Sequence, residues 1–288
     1  MASEQESVRA ALRLEPGAPA DPALINPAAT PVGPKSKGKA AEDMSRVAPE
    51  LDDLQEALYA EGVAAGGQRR VLLVLQGMDT SGKGGTIRHV AGMLNPQGLH
   101  IASFKRPTEE ELAHHFLWRV RRQVPPPGII GVFDRSHYED VLVVRVDRLV
   151  PEPEWRGRYE EINAFEAELV TSGVTVVKCF LHISPEAQRK RLLARLADPK
   201  KHWKYNPNDV EVRAKWSNYQ RAYADALQRC GTAAAPWYVV PSDRKWYRNW
   251  AVARILLETL RELGPRFLPA AFDVETERRR LTTADSLR

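Results

Sequence analysis

Between residues 70 and 240 the chain alternates short apolar runs with longer stretches of mixed polarity. Arg70-Val71-Leu72-Leu73-Val74-Leu75 is apolar at every position after the first, the pattern of a strand buried on both faces. Similar runs stand at Ile101–Phe104, Ile129–Phe133, Val174–Ile183 and Trp237–Val240. Helical spacing fills the intervals at Thr86–Met93, Thr108–Arg122, Trp155–Thr171, Pro185–Leu196 and Val210–Arg229, and continues over Lys245–Leu263. Ser184 ahead of Pro185 is a helix start signal. Before the first run, Leu51, Leu54, Leu58 and Tyr59 recur at helical intervals within Ala48–Gly62. Strands alternating with helices predict stacked βαβ units, and hence an α/β fold with a parallel sheet. No internal repeat interrupts the pattern.

Residues 1–45 depart from it. They are rich in Ala, Pro, Gly and Lys, with Pro16, Pro19, Pro22, Pro27, Pro31 and Pro34 scattered through them. Such a composition predicts a mobile extension in front of one domain over residues 46–288. The 288 residues, 43% hydrophobic and 27% charged, suffice for one large core. No apolar run approaches the roughly 20 residues that cross a bilayer. The opening Met1–Glu6 is acidic and lacks an apolar segment, so neither a secretory nor a transit signal fits and a cytoplasmic location is expected. The two cysteines, Cys179 and Cys230, read as packing residues of a reducing compartment. A net charge of +5 favours a polyanionic partner.

Candidate chemistry narrows that partner. Gly77-Met78-Asp79-Thr80-Ser81-Gly82-Lys83 is a GxxxxGK sequence placed after an apolar run and before a helix. In that setting glycines let backbone N–H groups close around phosphate oxygens, the helix presents its positive end, and Lys83 neutralises the transferred group. The usual Ser or Thr after the lysine is missing, because Gly84 and Gly85 follow. The metal-holding hydroxyl must therefore be replaced, and the Asp79 carboxylate is the natural substitute for holding Mg²⁺ or orienting an acceptor phosphate. Downstream, Ile129–Phe133 ends in Asp134-Arg135-Ser136, which places a carboxylate at the tip of a strand. Asp134 then reads as a second Mg²⁺ ligand beside the loop, with Arg135 on phosphate. From Gln188 onward the chain is strongly basic: Arg191 and Arg195 share one helix face, and Lys200, Lys201 and Lys204 follow Pro199. This segment, about residues 188–210, reads as a basic lid or, taken alone, as a solvated charged helix.

Together these stretches resemble the second family of polyphosphate kinases over roughly residues 50–263. The resemblance rests on Gly77–Ile87, Asn95-Pro96, Phe104-Lys105, Pro107-Thr108, Asp134–Glu139, the basic lid and Ala235–Tyr238. It implies a P-loop kinase of the thymidylate-kinase-like type, a three-layer α/β/α domain with a helical lid. Mg²⁺-dependent phosphoryl exchange between inorganic polyphosphate and nucleoside phosphates is the implied activity. On that resemblance Gly77, Gly82, Gly84 and Gly85 belong to the phosphate loop, and Lys105 to the substrate channel. Tyr138 and Glu139 count with the binding residues, and Arg191, Arg195, Lys201 and Lys204 with the lid. His137-Tyr138-Glu139 resembles the form found in the group acting on both AMP and ADP. The resemblance also implies a homo-oligomer, dimer or tetramer.

The mechanism expected is direct in-line transfer, with the protein aligning two polyanions and screening their repulsion. An ATP-dependent nucleoside monophosphate kinase shares loop, aspartate and lid, and differs in its donor. A nucleotide-dependent nucleic-acid-binding protein is a further alternative. Trp203 is the one Phe, Trp or Tyr within the basic run Gln188–Lys204, which argues against it, because stacking residues would be interleaved with the cations.

Overall fold

The computed structural model describes residues 7–285; Met1–Glu6, read above for targeting signals, lie outside the described residues. Five strands form the sheet: β1 (Arg70–Gln76), β2 (Leu99–Ser103), β3 (Ile130–Asp134), β4 (Val174–His182) and β5 (Trp237–Pro241). They pair in parallel in the order β2-β3-β1-β4-β5. The helices are α1 (Val8–Leu12), α2 (Lys37–Ala65), α3 (Lys83–Val90), α4 (Glu109–Leu112), α5 (Trp118–Arg121) and α6 (Glu139–Val146). They continue with α7 (Glu152–Thr171), α8 (Pro185–Leu196), α9 (Asn208–Ala214), α10 (Trp216–Arg229), α11 (Lys245–Leu263) and α12 (Val274–Asp285).

Alternation along the strands divides the core into two layers. Leu72 and Val74 of β1 face a cluster that includes Val141, Leu142, Tyr159, Phe165, Tyr219 and Tyr223 from α6, α7 and α10. Val71, Leu73 and Leu75 face the other cluster, which includes Leu51 and Leu58 of α2, Val90 of α3 and Trp250, Ile255 and Leu256 of α11. A strand covered on both faces needs no polar side, and β1 accordingly reads as an unbroken apolar run. The α/β/α expectation holds.

The amino-terminal segment differs from its expectation. Residues 7–36 are packed on the domain, and α2 runs from Lys37 through Pro49, across the boundary expected at residue 45. Val8, Leu12 and Val32 are buried with the α11 layer, and Ala20 with the opposite one. The Glu258 carboxylate of α11 accepts from Ser7 Oγ at 2.8 Å and from the Val8 N–H at 3.0 Å. Arg13 forms an antiparallel bridge with Tyr238, and the Leu14 N–H donates to Trp237 O at 2.9 Å, closing the free edge of β5. Prolines suited this path because an arm lying along a surface needs no internal ladder. The composition signalled a lack of regular structure, and the segment instead gains its order from long-range contacts. Pro49 is tolerated because Ala40, Val47, Leu51 and Leu58 continue one buried stripe past it.

Candidate active site

In this strand order β1 stands between β3 and β4, so the chain leaves β1 toward one side of the sheet and later returns to the other. Ligands of open α/β sheets bind at the carboxyl ends of strands at this switch point. The register pairs Leu75 with Asp134 and Gln76 with Phe180, so the ends of β1, β3 and β4 lie side by side. The loop Gly77–Gly82 grows from β1 there and feeds α3, whose first residue is Lys83.

Conformation explains the glycines. Gly82 has φ +110°, and a Cβ there would lie 1.7 Å from Arg248 Nη1. Gly77 has φ +153°, and a Cβ would sit 2.6 Å from Leu181 O. Neither position admits a side chain. At Gly84 nothing lies within 4 Å of the would-be Cβ, so the missing hydroxyl there is not a matter of space.

The predicted cluster is assembled by the fold. Lys83 is buried, and its Nζ donates to Gly77 O at 2.8 Å, which folds the side chain back over the loop. Burial lowers its pKa, as does the nearby Arg135, while Asp79, Asp134 and Glu139 act in the opposite sense. Arg135 takes a left-handed φ of 65° at the end of β3 and donates from Nη2 to Asp79 Oδ1 at 2.9 Å. Its Nε lies 4.0 Å from Glu139 Oε2, and Glu139 Oε1 accepts from Gln76 Nε2 at 2.9 Å. Burial raises the Glu139 pKa against the pull of Arg135 and Gln76. Asp134 Oδ1 is buried without a partner, and so are the hydroxyls of Thr80, Ser81 and Thr86. Buried polar atoms without a protein partner on and beside this loop are donors and acceptors that a phosphate or cation could satisfy.

Other expected residues stand elsewhere. Tyr138 is fully buried; its hydroxyl donates to Glu166 Oε1 at 2.8 Å and accepts from Lys178 Nζ at 2.8 Å. It belongs to a core network in which Lys178 Nζ also meets Glu166 Oε2 at 2.6 Å, and no substrate surface includes it. The motif supplied Tyr138 by adjacency, but the helical turn into α6 sends residue 139 to the site and residue 138 into the core. Arg191 does not face a cleft alongside Arg195. Its Nη1 donates to Thr80 O at 2.8 Å and Ser81 O at 3.1 Å, and its Nη2 to Ser242 O and to Asp243 O at 3.0 Å. It props the phosphate loop against the turn after β5. Arg195 Nη1 donates to Lys204 O at 2.9 Å and lies 3.4 Å from Asp209 Oδ2, which ties the basic segment to α9. Lys201 pairs with Asp198 at 2.6 Å, and Lys204 Nζ lies 4.8 Å from the Trp203 ring centre. Lys105 is exposed, and its carbonyl accepts from buried Arg119 Nη1 at 2.8 Å.

Several residues around the loop escaped the sequence reading. Arg248 of α11 is buried beneath the loop, donates from Nη1 to Ser81 O at 3.0 Å, and has its pKa pushed down to about 9 by burial and by Arg191. Gln188 Nε2 donates to Asp79 O at 3.1 Å. Asp209 of α9 is buried, and burial together with Asp79 raises its pKa. Arg248 left one trace in the sequence, a cation amid the apolar positions of Lys245–Leu263; Gln188 and Asp209 left none.

This strand order, with a lysine-bearing loop at its switch point, is that of a P-loop kinase, a phosphotransferase class. The profile described as "Polyphosphate kinase 2 (PPK2)" matches residues 35–266, and the chain belongs to that family. A Meiothermus ruber protein named "AMP/ADP-polyphosphate phosphotransferase" is 50% identical over 231 residues, 80% of this chain and 85% of that one. A Rhodopseudomonas palustris protein named "ADP-polyphosphate phosphotransferase" is 43% identical over 225 residues, 74% of this chain and 76% of that one. The crystal structure of polyphosphate kinase 2 from Arthrobacter aurescens TC1 superposes with a TM-score of 0.93 at 44% identity, covering 97% of this chain and 98% of that one.

Proposed function

We propose that the protein transfers phosphoryl groups between inorganic polyphosphate and adenine nucleotides, taking AMP to ADP and ADP to ATP. The observation that carries the reading is the grouping of Lys83, Arg135, Asp79 and Asp134 around one loop, in a chain half identical to a relative named for AMP, ADP and polyphosphate. Arg135 and Lys83 would hold the oxygens of the transferred group in line, and the loop amides would fix its orientation. Gln188 and Arg191 grip loop carbonyls from behind, which keeps that cradle preformed.

The donor set fits Mg²⁺. Asp134 Oδ1 is buried and unpartnered, Asp79 pairs with Arg135, and both carboxylates act on the Lys83 ammonium. No cluster of three or more His, Cys, Asp or Glu exists among the described residues, which suits an ion held by one or two carboxylates plus substrate phosphates. When bound there, Mg²⁺ would supply counter-charge to the transferring group. Asp79 and Asp134 would be the residues to hold the ion, and Arg135, now paired with Asp79, would contact phosphate.

The same reading includes a cytoplasmic setting, a basic segment over 188–210 that closes on substrate, and assembly as a dimer or tetramer. Free, buried Cys179 and Cys230 support the first. Exposed Phe267, Leu268, Phe272 and Leu281 offer apolar surface for the last. Among the described residues no helix is long and apolar enough to cross a membrane. The test is purified protein with long-chain polyphosphate, Mg²⁺ and separate nucleoside mono- and diphosphates, with products resolved by chromatography. ADP and ATP formed only when polyphosphate is present support the reading. Phosphorylation with ATP as donor and none with polyphosphate would overturn it.

A further inference from the structure

Beside the phosphate loop, α8 and the start of α11 border a cavity of about 440 Å³, open to solvent and reached also by Lys37 at the start of α2. Its charged lining is Lys37, Lys190, Arg191, Arg244 and Lys245 against the single carboxylate of Asp243. That carboxylate is occupied: its oxygens accept from the Ser184 N–H at 2.9 Å and from Ser184 Oγ at 2.8 Å. Lys37, Lys190 and Lys245 have no ion pair or hydrogen bond among the described residues. Elsewhere the protein pairs its surface cations freely, as in Arg261 with Glu50 and Arg121 with Glu168. Like charges gathered at one cavity cost energy in the free protein, and Lys245 shows it: burial, Arg191, Arg248 and Lys201 all lower its pKa. Arg191 joins this cavity to the loop, because one guanidinium lines the first and grips Thr80 O and Ser81 O of the second.

We propose that this cavity is a second anion subsite, which holds phosphate units of the donor chain lying away from its reacting end. The inference rests on the polyphosphate reading above and adds where the rest of the chain goes. A mononucleotide has too few phosphates to occupy both the loop and this cavity, whereas a long polyphosphate has phosphates to spare. Lys37, Lys190 and Lys245 therefore select for donor length. The basic segment Lys200–Lys204, expected from sequence to be part of a lid, is second to it as a phosphate track, since Lys201 is already paired with Asp198.

Because all three lysines are exposed, Lys37→Ala, Lys190→Ala and Lys245→Ala can be combined without emptying the core. The triple variant is compared with the wild-type protein in steady-state transfer from tripolyphosphate and from long-chain polyphosphate, and in equilibrium binding of the long chain against salt. Its KM should rise about tenfold or more for the long chain and markedly less for tripolyphosphate, as expected when several phosphates go without their counter-charge. The log–log salt slope for the long chain should become shallower by about 2, at roughly 0.7 for each phosphate no longer neutralised. The Lys→Arg triple, which keeps the charge, should retain the wild-type slope. Equal changes for both donors, or an unchanged slope, would overturn the subsite while leaving polyphosphate transfer standing. Wild-type protein inactive with both donors would instead overturn the functional reading, and the subsite with it.

Discussion

On the proposed reading, Lys83 is the residue whose loss should cost transfer most. Lys83→Ala should cut the rate about 10²–10³-fold, the usual cost of losing one preorganised charge clamp, with the melting temperature within a few degrees of wild type. Retention of more than about a tenth of the rate in steady-state assays would remove Lys83 from that role. Arg248 can be separated from it, since Arg248 holds the loop carbonyl of Ser81 from behind. Arg248→Met should leave α11 folded through Tyr247 and Trp250 but lower kcat/KM about tenfold or more, by loosening the cradle. Asp140 carries the clearest pH signature: burial raises it from 3.8 to about 6, against Arg158 and Arg119. A carboxyl raised in the folded state adds stability at low pH that is lost as pH climbs through about 6. Asp140→Asn should therefore gain on wild type in melting temperature between pH 4 and pH 7, by the equivalent of roughly 3 kcal/mol. Parallel melting curves across that range would refute the shift. At this scale the sequence revealed what lies in contiguous motifs, namely Asp79, Lys83, Asp134 and Arg135. Arg248 and Gln188 stayed hidden because they meet the loop from more than a hundred residues away.

β1, β3, β4 and β5 were the most legible elements, because burial on both faces leaves an apolar run that few other structures need, whereas β2 buries only Ala102. Pro185–Leu196 and Lys245–Leu263 were also read to the residue, the first from its Ser184 cap, whose Oγ accepts from the Ala187 N–H at 3.0 Å. Two long helices were not. Thr108–Arg122 resolves into α4 and α5, and Val210–Arg229 breaks at Lys215 between α9 and α10. Across the break at Lys215 periodicity survives, because Val212 of α9 and Tyr219 and Tyr223 of α10 pack against the same core, whereas α4 buries none of its residues and Leu112 stays exposed. α6 was missed, since its buried Val141 and Leu142 follow directly on the strand-end motif. The break at Lys215 has a use: α9 projects Asp209 toward Arg195 and so anchors the basic segment. Arg195→Ala should release that anchor. Limited proteolysis should then cut within residues 198–206 several times faster than in wild type, and an unchanged cleavage rate would show that the segment is held by other contacts.

For the molecule as a whole, the amino-terminal arm was the largest misreading, since its composition describes how it behaves alone and not what it meets. Deleting residues 1–36 removes buried Val8, Leu12, Ala20 and Val32. Apolar burial worth about 1.5–3 kcal/mol for each larger side chain, reduced by the entropy of ordering the arm, should lower the melting temperature by about 5–10 °C. An unchanged melting temperature would return the arm to a dispensable extension. The arm also runs past the site, with the Asp243 N–H donating to Pro27 O at 3.0 Å and Arg244 Nε to Ala28 O at 2.9 Å. Its docking has a consequence for the growing polypeptide. Val8 and the Glu258 carboxylate that caps its helix are separated by 250 residues. At elongation rates of about 5–20 residues per second, Val8 and Leu12 wait roughly 12 to 50 s for their partner to be made. Through that interval the earliest-made apolar side chains of the domain stay wet and open to other proteins, and the arm closes only after α11 has left the ribosome.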